Sequence, residues 1–472
     1  KTMVAFILTA GVAAALQGAP ADEYKTKLAS LNKATAAKHY AVGEYLAGAG
    51  MFLWARDQFY KTVEFDPDHE GARKRLGYKK NEDGQWETDV NAKQEFGNKK
   101  KGEDLERVRK QYVDRLDSAG KDLSRQWADL GLFCKKNMLA AEMNASFMKA
   151  LEYDPANAGA RKELGYEKDA KGVWMSKTER DLRKEMKDGI PKAPGGQPGT
   201  TPAQIETILG VKLKARESEH YIITSPHLND SQMTLILQNA EHAYTMFHKV
   251  FGQTELFNGQ KYVFVILKDK AQHEKWVDAT YKTDNPAMKK LAYEAAATGG
   301  FPVAEVYQET RPDAFLQDNV IHATAQTLLG LWCGEKHCWV LEGMAMHFTR
   351  LMKESSMMHC VDLAGTSPKN KGKNYTDPAD WPVVCRVWVR EGKDPDLTTI
   401  LKRTNFGEFD GADAVKSWSL VEFLLGQHRD KFILFLSSFK EGKEVDAALK
   451  DVWGWTINDL DYRWKAYVKV AY

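Results

Sequence analysis

The sequence predicts an all-α N-terminal half followed by an α+β C-terminal half. Three observations lead to this fold class: an ungapped internal repeat, a Pro/Gly-rich segment after it, and a change to strands followed by helices. With 472 residues, 43% of them hydrophobic, the chain is long enough for two or three domains. The formal net charge is only +2, from 67 basic and 65 acidic residues, so nucleic acid is not expected as a partner.

The N-terminus has the pattern of a secretory signal peptide. Lys1 is followed by an apolar run that ends at Leu16, and a small-x-small site follows at Ala19-Pro20-Ala21. We predict a signal peptide over residues 1–21 and an extracytoplasmic location; a buried N-terminal helix is the alternative. The run is shorter than the roughly 20 apolar residues of a membrane-spanning helix, so no transmembrane span is expected.

The five cysteines fit an exported protein, because disulfides persist outside the cytosol. Cys134 is alone in the N-terminal half and is expected to be a buried free thiol. We expect two disulfides among the other four, with the pairing left open because four cysteines allow three pairings. These four are Cys333, Cys338, Cys360 and Cys385.

The internal repeat lies in the first half of the chain. Residues 59–88 match residues 147–176 at a constant offset of 88, with 15 of 30 positions identical and no gap. A repeat of this length predicts two copies of one helical unit that pack together.

Both copies and the helical stretches before them resemble tetratricopeptide helix pairs. The signature positions are Trp127, Leu130, Gly131, Phe147, Ala150 and Pro155 in the second copy, and Gly43, Ala55, Phe59 and Pro67 in the first. The resemblance implies a helical repeat domain over residues 22–187, with a charged helical insert at about 91–121. Such a domain either packs against the rest of the protein and supports it, or provides a groove that binds a partner peptide.

A linker is predicted over residues 188–204, which contain four Pro and four Gly in seventeen positions. Beyond it, the hydrophobic pattern predicts three strands and six helices. The strands are 218–226, 260–269 and 302–309, and the helices are 230–252, 314–331, 339–353, 412–428, 431–440 and 457–470.

Two short motifs in the C-terminal half, "HATAQ" (322–326) and "WVLEGMAMHF" (339–348), bear on its chemistry. His322 and Gln326 are four residues apart on a predicted helix, so they share a face, and Glu342 follows on the next helix. A zinc hydrolase of the H-E-x-x-H type uses this layout: two His and a later Glu bind zinc, and the first Glu is the general base.

On these motifs and the order of elements, residues 205–472 resemble the gluzincin-like peptidase MA-like domain, a zincin-like fold. Exported bacterial versions with tetratricopeptide-like units ahead of the domain are the most similar. The resemblance implies that His322 and Glu342 are former zinc ligands. It also implies that strand 302–309 is the sheet edge that pairs with substrate.

At two positions the sequence departs from the H-E-x-x-H motif, and both changes remove groups that zinc-dependent hydrolysis needs. Ala323 occupies the place of the general base and has no group that could accept a proton. Gln326 occupies the place of the second His, and its amide is a poor zinc ligand. We therefore predict no catalytic residue, no bound cofactor and no metal, with vestigial His322 and Glu342 contacting each other directly or through water.

Other histidines and cysteines nearby offer alternatives. His337, His347 and His359 could rescue a metal site, but His347 is predicted to be a buried histidine pointing away from Glu342. Cys333, His337 and Cys338 could bind a metal, although a disulfide across that loop is preferred. No nucleophile elbow, phosphate loop or dinucleotide fingerprint is present.

The sequence thus predicts an exported, non-catalytic pseudo-metallopeptidase that acts as a protein-binding or scaffold module, with a protein or peptide as its partner. The alternatives are an active zinc metallopeptidase with non-standard ligands and a tetratricopeptide-type adaptor.

Overall fold

The structure is a computed structural model, and it divides into two compact units that meet in the chain between Ser176 and Lys177. It describes residues 3–92, 99–100, 102–154, 156–168, 174–253, 255–283, 285–334, 337–364 and 374–472. Lys1 of the predicted signal peptide and Pro155 of the repeat signature lie outside these ranges. In the described part of the chain, no helix combines the length and the apolar character needed to cross a bilayer.

The first unit is built from helices and two short hairpins, and its two halves have the same order of elements. The first half contains α1 (Met3–Gly48), α2 (Phe52–Phe65), α3 (Glu70–Arg75), β1 (Tyr78–Lys80) and β2 (Trp86–Thr88). The second contains α4 (Gly102–Lys136), α5 (Ala140–Tyr153), α6 (Ala158–Glu163), β3 (Glu167–Lys168) and β4 (Trp174–Met175). The predicted repeat is therefore a structural repeat, and the charged insert is largely the beginning of the long helix α4.

A glycine lets the two helices of each half approach closely. A Cβ at Gly43 would lie 2.5 Å from the ring of Phe59, and a Cβ at Gly131 would lie 2.7 Å from the ring of Phe147. Each glycine and its phenylalanine are related to the other pair by the offset of the repeat. The close helix contact is thus a property of the repeated sequence and not of one copy.

The second unit begins earlier than the sequence predicted. Helix α7 (Lys177–Asp188), which the prediction placed in the repeat domain, belongs to this unit. The predicted linker 188–204 is also part of it, because β5 (Gln197–Pro198) pairs with the next strand and a short 3₁₀ helix spans Ile190–Lys192. Pro198 is tolerated there because β5 is an edge strand, where a missing N–H costs little.

The second unit has one sheet of six strands in the order β5-β6-β7-β8-β10-β9. The central strands β7, β8 and β10 are parallel to one another, and the outer pairs are antiparallel. The remaining strands are β6 (Lys214–Glu217), β7 (Tyr221–Ser225), β8 (Tyr262–Leu267), β9 (Ala297–Gly300) and β10 (Val303–Tyr307). All three predicted strands are present as β7, β8 and β10.

The predicted role of the third strand is wrong. Strand β10 is internal, because it pairs with β8 on one side and β9 on the other. The hairpin partner β9 forms that edge of the sheet instead. Its sequence, ATGG, has none of the apolar alternation that marks a strand, which is why the pattern missed it.

Helices surround and follow the sheet. Those between strands are α8 (Ala203–Leu209), α9 (Asp230–Phe251), α10 (Lys270–Thr280) and α11 (Pro286–Glu294). Those after the sheet are α12 (Asp313–Cys333), α13 (Cys338–Lys353), α14 (Trp381–Glu391), α15 (Leu397–Lys402), α16 (Gly411–Ser438), α17 (Val445–Trp453) and α18 (Ile457–Ala471). Every predicted helix of this half is present, and the two predicted at 412–428 and 431–440 form one helix, α16, that bends at His428.

The five cysteines are all free thiols, so the expectation of two disulfides is wrong for this structure. Cys134 is a buried free thiol, as predicted. The thiol of Cys333 donates to the carbonyl of Leu329 one turn earlier in α12. The thiol of Cys360 contacts polar side chains rather than another cysteine, as described below.

Candidate functional site

The motif "HATAQ" lies in the middle of α12, whose position on the sheet is fixed by hydrogen bonds. The hydroxyls of Thr324 and Tyr221, from α12 and β7, are 3.1 Å apart, and Thr327 donates to the Tyr262 hydroxyl at 3.3 Å. These side chains attach one face of α12 to the sheet. His322 and Gln326 point elsewhere and are brought to α13.

Helix α13 carries Glu342, and a glycine beside it determines how deeply the helix is packed. A Cβ at Gly343 would lie 2.6 Å from the carbonyl oxygen of Ser417 in α16, so only glycine permits this contact. Close packing against α16 leaves the Glu342 side chain completely buried, and His322 is 2% exposed. A buried carboxylate requires polar partners, so other polar side chains are expected around Glu342.

Five side chains meet between α12, α13 and the loop after α13, and we call them the polar centre. They are His322, Gln326, Glu342, His359 and Cys360. His322 Nε2 is 3.4 Å from Glu342 Oε2, so the predicted contact between these two residues is present and direct. Gln326 Nε2 donates to the same Oε2 at 3.3 Å. The two positions that the motif places on one helix face therefore do meet Glu342.

The loop supplies the other two members, which the sequence reasoning missed or left open. His359 Nδ1 is 3.6 Å from Glu342 Oε1. The backbone N–H of Cys360 donates to the same Oε1 at 3.1 Å, and Cys360 Sγ lies 3.6 Å from His322 Nε2. One sequence signal could have indicated that the loop contacts Glu342. It is the pair of adjacent potential metal ligands, His359 and Cys360, that follows Glu342 in the chain.

A second buried carboxylate holds the loop in place. Asp318 is one helical turn before His322, so it shares its face of α12. It accepts hydrogen bonds from the Ser355 hydroxyl at 3.0 and 3.1 Å and from the Met357 N–H at 2.9 Å. Burial raises the pKa of Asp318, although these hydrogen bonds oppose that rise. Asp318 therefore fixes the loop that carries His359 and Cys360.

The charges of the polar centre follow from these contacts. Burial alone would raise the pKa of Glu342, but His322 and then His359 outweigh it and hold the pKa below its usual range. Burial, followed by the negative charge of Glu342, raises the pKa of the Cys360 thiol well above its usual value. Residue 360 as a whole is exposed, yet its Sγ lies against the buried His322. A thiol with a raised pKa is a poor nucleophile, which argues against cysteine-type hydrolysis.

The other sequence candidates lie outside the polar centre. His347 is buried on α13, where burial and the nearby Arg183 and Arg350 push its pKa well below the usual value. His337 is the residue before α13, and its ring lies 5.7 Å from that of Phe439.

The residues present do not fit the zinc site of an H-E-x-x-H peptidase. Gln326 directs its NH₂ group at Glu342, so it acts as a donor to the carboxylate and not as a second imidazole ligand. Ala323 provides no base on this face of the helix. Within the described ranges, one group of three His, Cys, Asp or Glu side chains has ligand atoms within 4.8 Å of one another, and it consists of His322, Glu342 and Cys360.

Comparison with models of known protein families gives no match for this chain, and a search of curated proteins finds no relative.

Proposed function

We propose that this chain is an exported, non-catalytic protein that resembles zinc peptidases of the gluzincin-like, peptidase MA-like type and acts as a protein-binding or scaffold module. The observation that carries the proposal is residue 323. Its alanine methyl stands beside His322, where a peptidase of this type has a carboxylate, so a metal-bound water would have no base to take its proton.

The geometry around Ala323 supports the same conclusion. Glu342 is engaged by His322, Gln326 and the Cys360 N–H, and Asp318 is engaged by the loop. Neither buried carboxylate is left to replace the missing base. General-base catalysis contributes about 10²–10⁴-fold to rate, so its loss alone would leave little turnover.

A back-substitution tests the proposal. The parent chain and the variant Ala323→Glu/Gln326→His are incubated with zinc and a mixed library of fluorogenic peptides. We expect no hydrolysis by the parent and zinc-dependent hydrolysis by the variant. Ala323→Gln/Gln326→His is the matched control, because it restores the second imidazole and side-chain volume without a base. Zinc-dependent hydrolysis by the parent that His322→Ala abolishes would overturn the proposal in favour of a metallopeptidase with non-standard ligands.

A second candidate function is that of a tetratricopeptide-type adaptor, and a groove in the first unit favours it. The groove lies between α1 and α4 and has a volume of about 330 Å³. Its walls combine apolar side chains such as Leu31 and Phe133 with Lys27 and Asp129. Such a mixture suits an extended peptide that carries both apolar and charged residues.

The adaptor candidate predicts that peptide binding depends on this groove. The full chain is tested on a random-peptide array beside Ala34→Trp, which would fill the groove, and Leu53→Trp, which changes an exposed residue elsewhere on the unit. We expect loss of bound peptides with Ala34→Trp and retention with Leu53→Trp. Equal binding by all three proteins contradicts the adaptor candidate.

A further inference from the structure

We propose that His322, Glu342 and Cys360 form a zinc site of new composition, in which a loop thiolate takes the place of the second helical histidine. The His and Glu come from α12 and α13, and the third ligand comes from the segment after α13. The site is structural: it binds a borderline-soft divalent cation and joins the loop to the two helices. The zinc site does not depend on the proposed function, since a protein can bind zinc and still hydrolyse no peptide.

Two of the three distances between the ligand atoms match a tetrahedral zinc ion, and the third, from the Glu342 oxygen to Cys360 Sγ, is below 4.8 Å. Zinc binds imidazole nitrogen at about 2.0–2.1 Å, carboxylate oxygen at about 2.0–2.2 Å and thiolate sulfur at about 2.3 Å. Tetrahedral angles then separate nitrogen from oxygen by about 3.3 Å and nitrogen from sulfur by about 3.6 Å. The observed separations are 3.4 Å for His322 Nε2 to Glu342 Oε2 and 3.6 Å for His322 Nε2 to Cys360 Sγ.

A direct ion pair explains the first of these distances less well. A charge-assisted hydrogen bond between imidazolium and carboxylate has a length of about 2.7–2.9 Å. Such bonds occur elsewhere in the second unit, where His220 Nδ1 is 2.8 Å from Glu241 Oε2 and His273 Nδ1 is 2.9 Å from Glu305 Oε2. His322 and Glu342 are more buried than the first pair, yet their nearest nitrogen and oxygen atoms stand further apart.

An unpartnered nitrogen directed at the site is an independent indication. His359 Nε2 is 2.7 Å from the Ser356 carbonyl, so it carries the proton and donates. The other ring nitrogen, Nδ1, faces Glu342 Oε1 at 3.6 Å. This Nδ1 is buried without a hydrogen-bond partner, and the side chain is 8% exposed. A buried polar atom without a partner indicates that a further group, such as an ion or a water, belongs at this place.

The remaining groups arrange the ligands. The Cys360 N–H donates to Oε1 of Glu342, and Oε2 is the oxygen that lies 3.4 Å from His322 Nε2 and accepts from the Gln326 amide; the cation replaces this amide hydrogen bond. Asp318 fixes the loop that presents the thiol. Gln326 Nε2 donates to Cys360 Sγ at 3.4 Å and to Glu342 Oε2 at 3.3 Å, so the amide turns away when the cation binds, and a water takes the fourth position. Zinc binding removes the thiol proton, which is released to solvent, so affinity increases with pH.

One feature limits the affinity. Ligating histidines ordinarily donate their other ring nitrogen to a carboxylate or carbonyl, and loss of that bond costs about 10–100-fold in metal affinity. His322 Nδ1 is buried and has no such partner among the residues that the structure describes. We therefore expect weaker zinc binding than in a complete peptidase site, although still at a single saturable position.

The experiment uses the full chain, stripped of metal with a chelator and titrated with Zn²⁺ against a chromophoric competitor. We expect one zinc per chain in the parent and affinity lower by at least about 100-fold in Cys360→Ser and His322→Ala, because a ligand matters more than its hydrogen-bond partner. Cys385→Ser is the matched control: it removes another thiol of the second unit and should bind as the parent does. Co²⁺ replaces zinc in a parallel series, where a thiolate-to-cobalt charge-transfer band should appear in the parent and be absent in Cys360→Ser.

Three outcomes would overturn the site: no zinc bound by the parent, equal affinity in parent and Cys360→Ser, or a cobalt spectrum without the thiolate band. If Cys360→Ser is misfolded by circular dichroism, Glu342→Gln is measured in its place with the same expectation. Peptidase activity is assayed on the same samples. If the parent hydrolyses peptides, the proposed function is wrong and the cation site is unaffected. If the parent hydrolyses no peptide and binds no zinc, the cation site is wrong and the proposed function is unaffected.

Discussion

The two units bury different kinds of side chain. In the part of the chain that the structure describes, every buried Asp and Glu belongs to the second unit, among them Glu305, Asp318, Glu342 and Glu422. The first unit has two apolar clusters, one around Phe59 and one around Phe147. A repeated helix pair needs only complementary apolar surfaces, whereas each buried charge of the second unit needs a partner supplied by a particular residue elsewhere. The difference is one of buried carboxylates: the polar side chains that the first unit buries, such as Gln58 and Arg161, carry no negative charge, whereas the second unit combines packing with buried acids.

The largest effect is expected from breaking a buried charge network of the second unit. Lys416 on α16 is fully buried and contacts Asp394 at 2.7 Å and Asp461 at 3.0 Å. Lys416→Met keeps the volume but leaves both carboxylates with less compensation, so the free energy of unfolding should fall by about 3 kcal/mol. Denaturant unfolding followed by circular dichroism measures this change.

Lys465→Met is the matched control, because Lys465 contacts the same two carboxylates but is 21% exposed. It should cost clearly less than Lys416→Met. If Lys416→Met and Lys465→Met lower the free energy of unfolding equally, the burial of a charged side chain does not explain the stability of the second unit.

A smaller effect is expected from overpacking the repeated helix contact of the first unit. Gly43→Ala and Gly131→Ala place a Cβ within 2.5 and 2.7 Å of a buried ring. Overpacking costs about 1–3 kcal/mol, and the higher helix propensity of Ala returns up to about 1 kcal/mol. We expect each variant to lose about 1 kcal/mol in chemical denaturation.

The control for both variants is Gly330→Ala in α12, where the added Cβ would meet no atom within 4 Å. It should gain up to about 1 kcal/mol from helix propensity alone. A loss in only one of Gly43→Ala and Gly131→Ala would mean that the two copies are not equivalent.

The fold was largely predictable because its long elements obey local rules. Helix α9 ends at Phe251 because the next residue, Gly252, has a φ of +64°, and β8 is an unbroken apolar run, so both were found close to their observed bounds. The segment 188–204 was misjudged because its Pro and Gly residues resemble a linker, while its incorporation depends on pairing with β6, a long-range contact. Local composition cannot show which distant strand will form hydrogen bonds with the backbone of this segment.

The candidate site was predictable only where one helix or two successive helices determine it. Helical periodicity puts His322 and Gln326 on one face, and the next helix supplies Glu342. Cys360 lies in a loop whose path is determined by Asp318, and no periodicity connects these two residues. The cysteine was assigned to a disulfide because composition alone favoured one in an exported chain. Three-dimensional contacts were needed to place its thiol beside His322.

A pH-dependent effect should distinguish the ionic contacts of the second unit from packing. Burial lowers the pKa of His220, but Glu241 outweighs it and the pKa is raised. Burial raises the pKa of Glu241, but the contact with His220 outweighs it and the pKa is lowered. The His220 contribution is complete below about pH 6.5 and is lost as pH rises through its folded-state pKa; the Glu241 contribution is present above about pH 4.5 and is lost as pH falls.

The stability difference between the parent and His220→Gln should therefore be largest between about pH 4.5 and 6.5 and should shrink at higher pH. The groups that also face His220 are Glu219, Tyr244, His248 and Glu255. Unfolding curves of His220→Gln, Glu241→Gln and the double variant at several pH values isolate the pair from these neighbours. A difference that does not change with pH contradicts an ionic origin.

The smallest effect is expected at a helix cap where the two copies of the repeat differ. His69 Nδ1 accepts from the Ala72 N–H at 3.3 Å, whereas at the equivalent position Asn157 Oδ1 accepts from the Ala160 N–H at 2.9 Å. Asn is among the best N-cap residues, so His69→Asn should raise the free energy of unfolding by about 0.5 kcal/mol. The reverse change, Asn157→His, should lower it by more, because Asn157 also donates to Ser124 at 2.9 Å. Thermal unfolding of both variants checks this, and a loss of stability in His69→Asn would show that the two copies require different side chains at the cap despite their matching backbones.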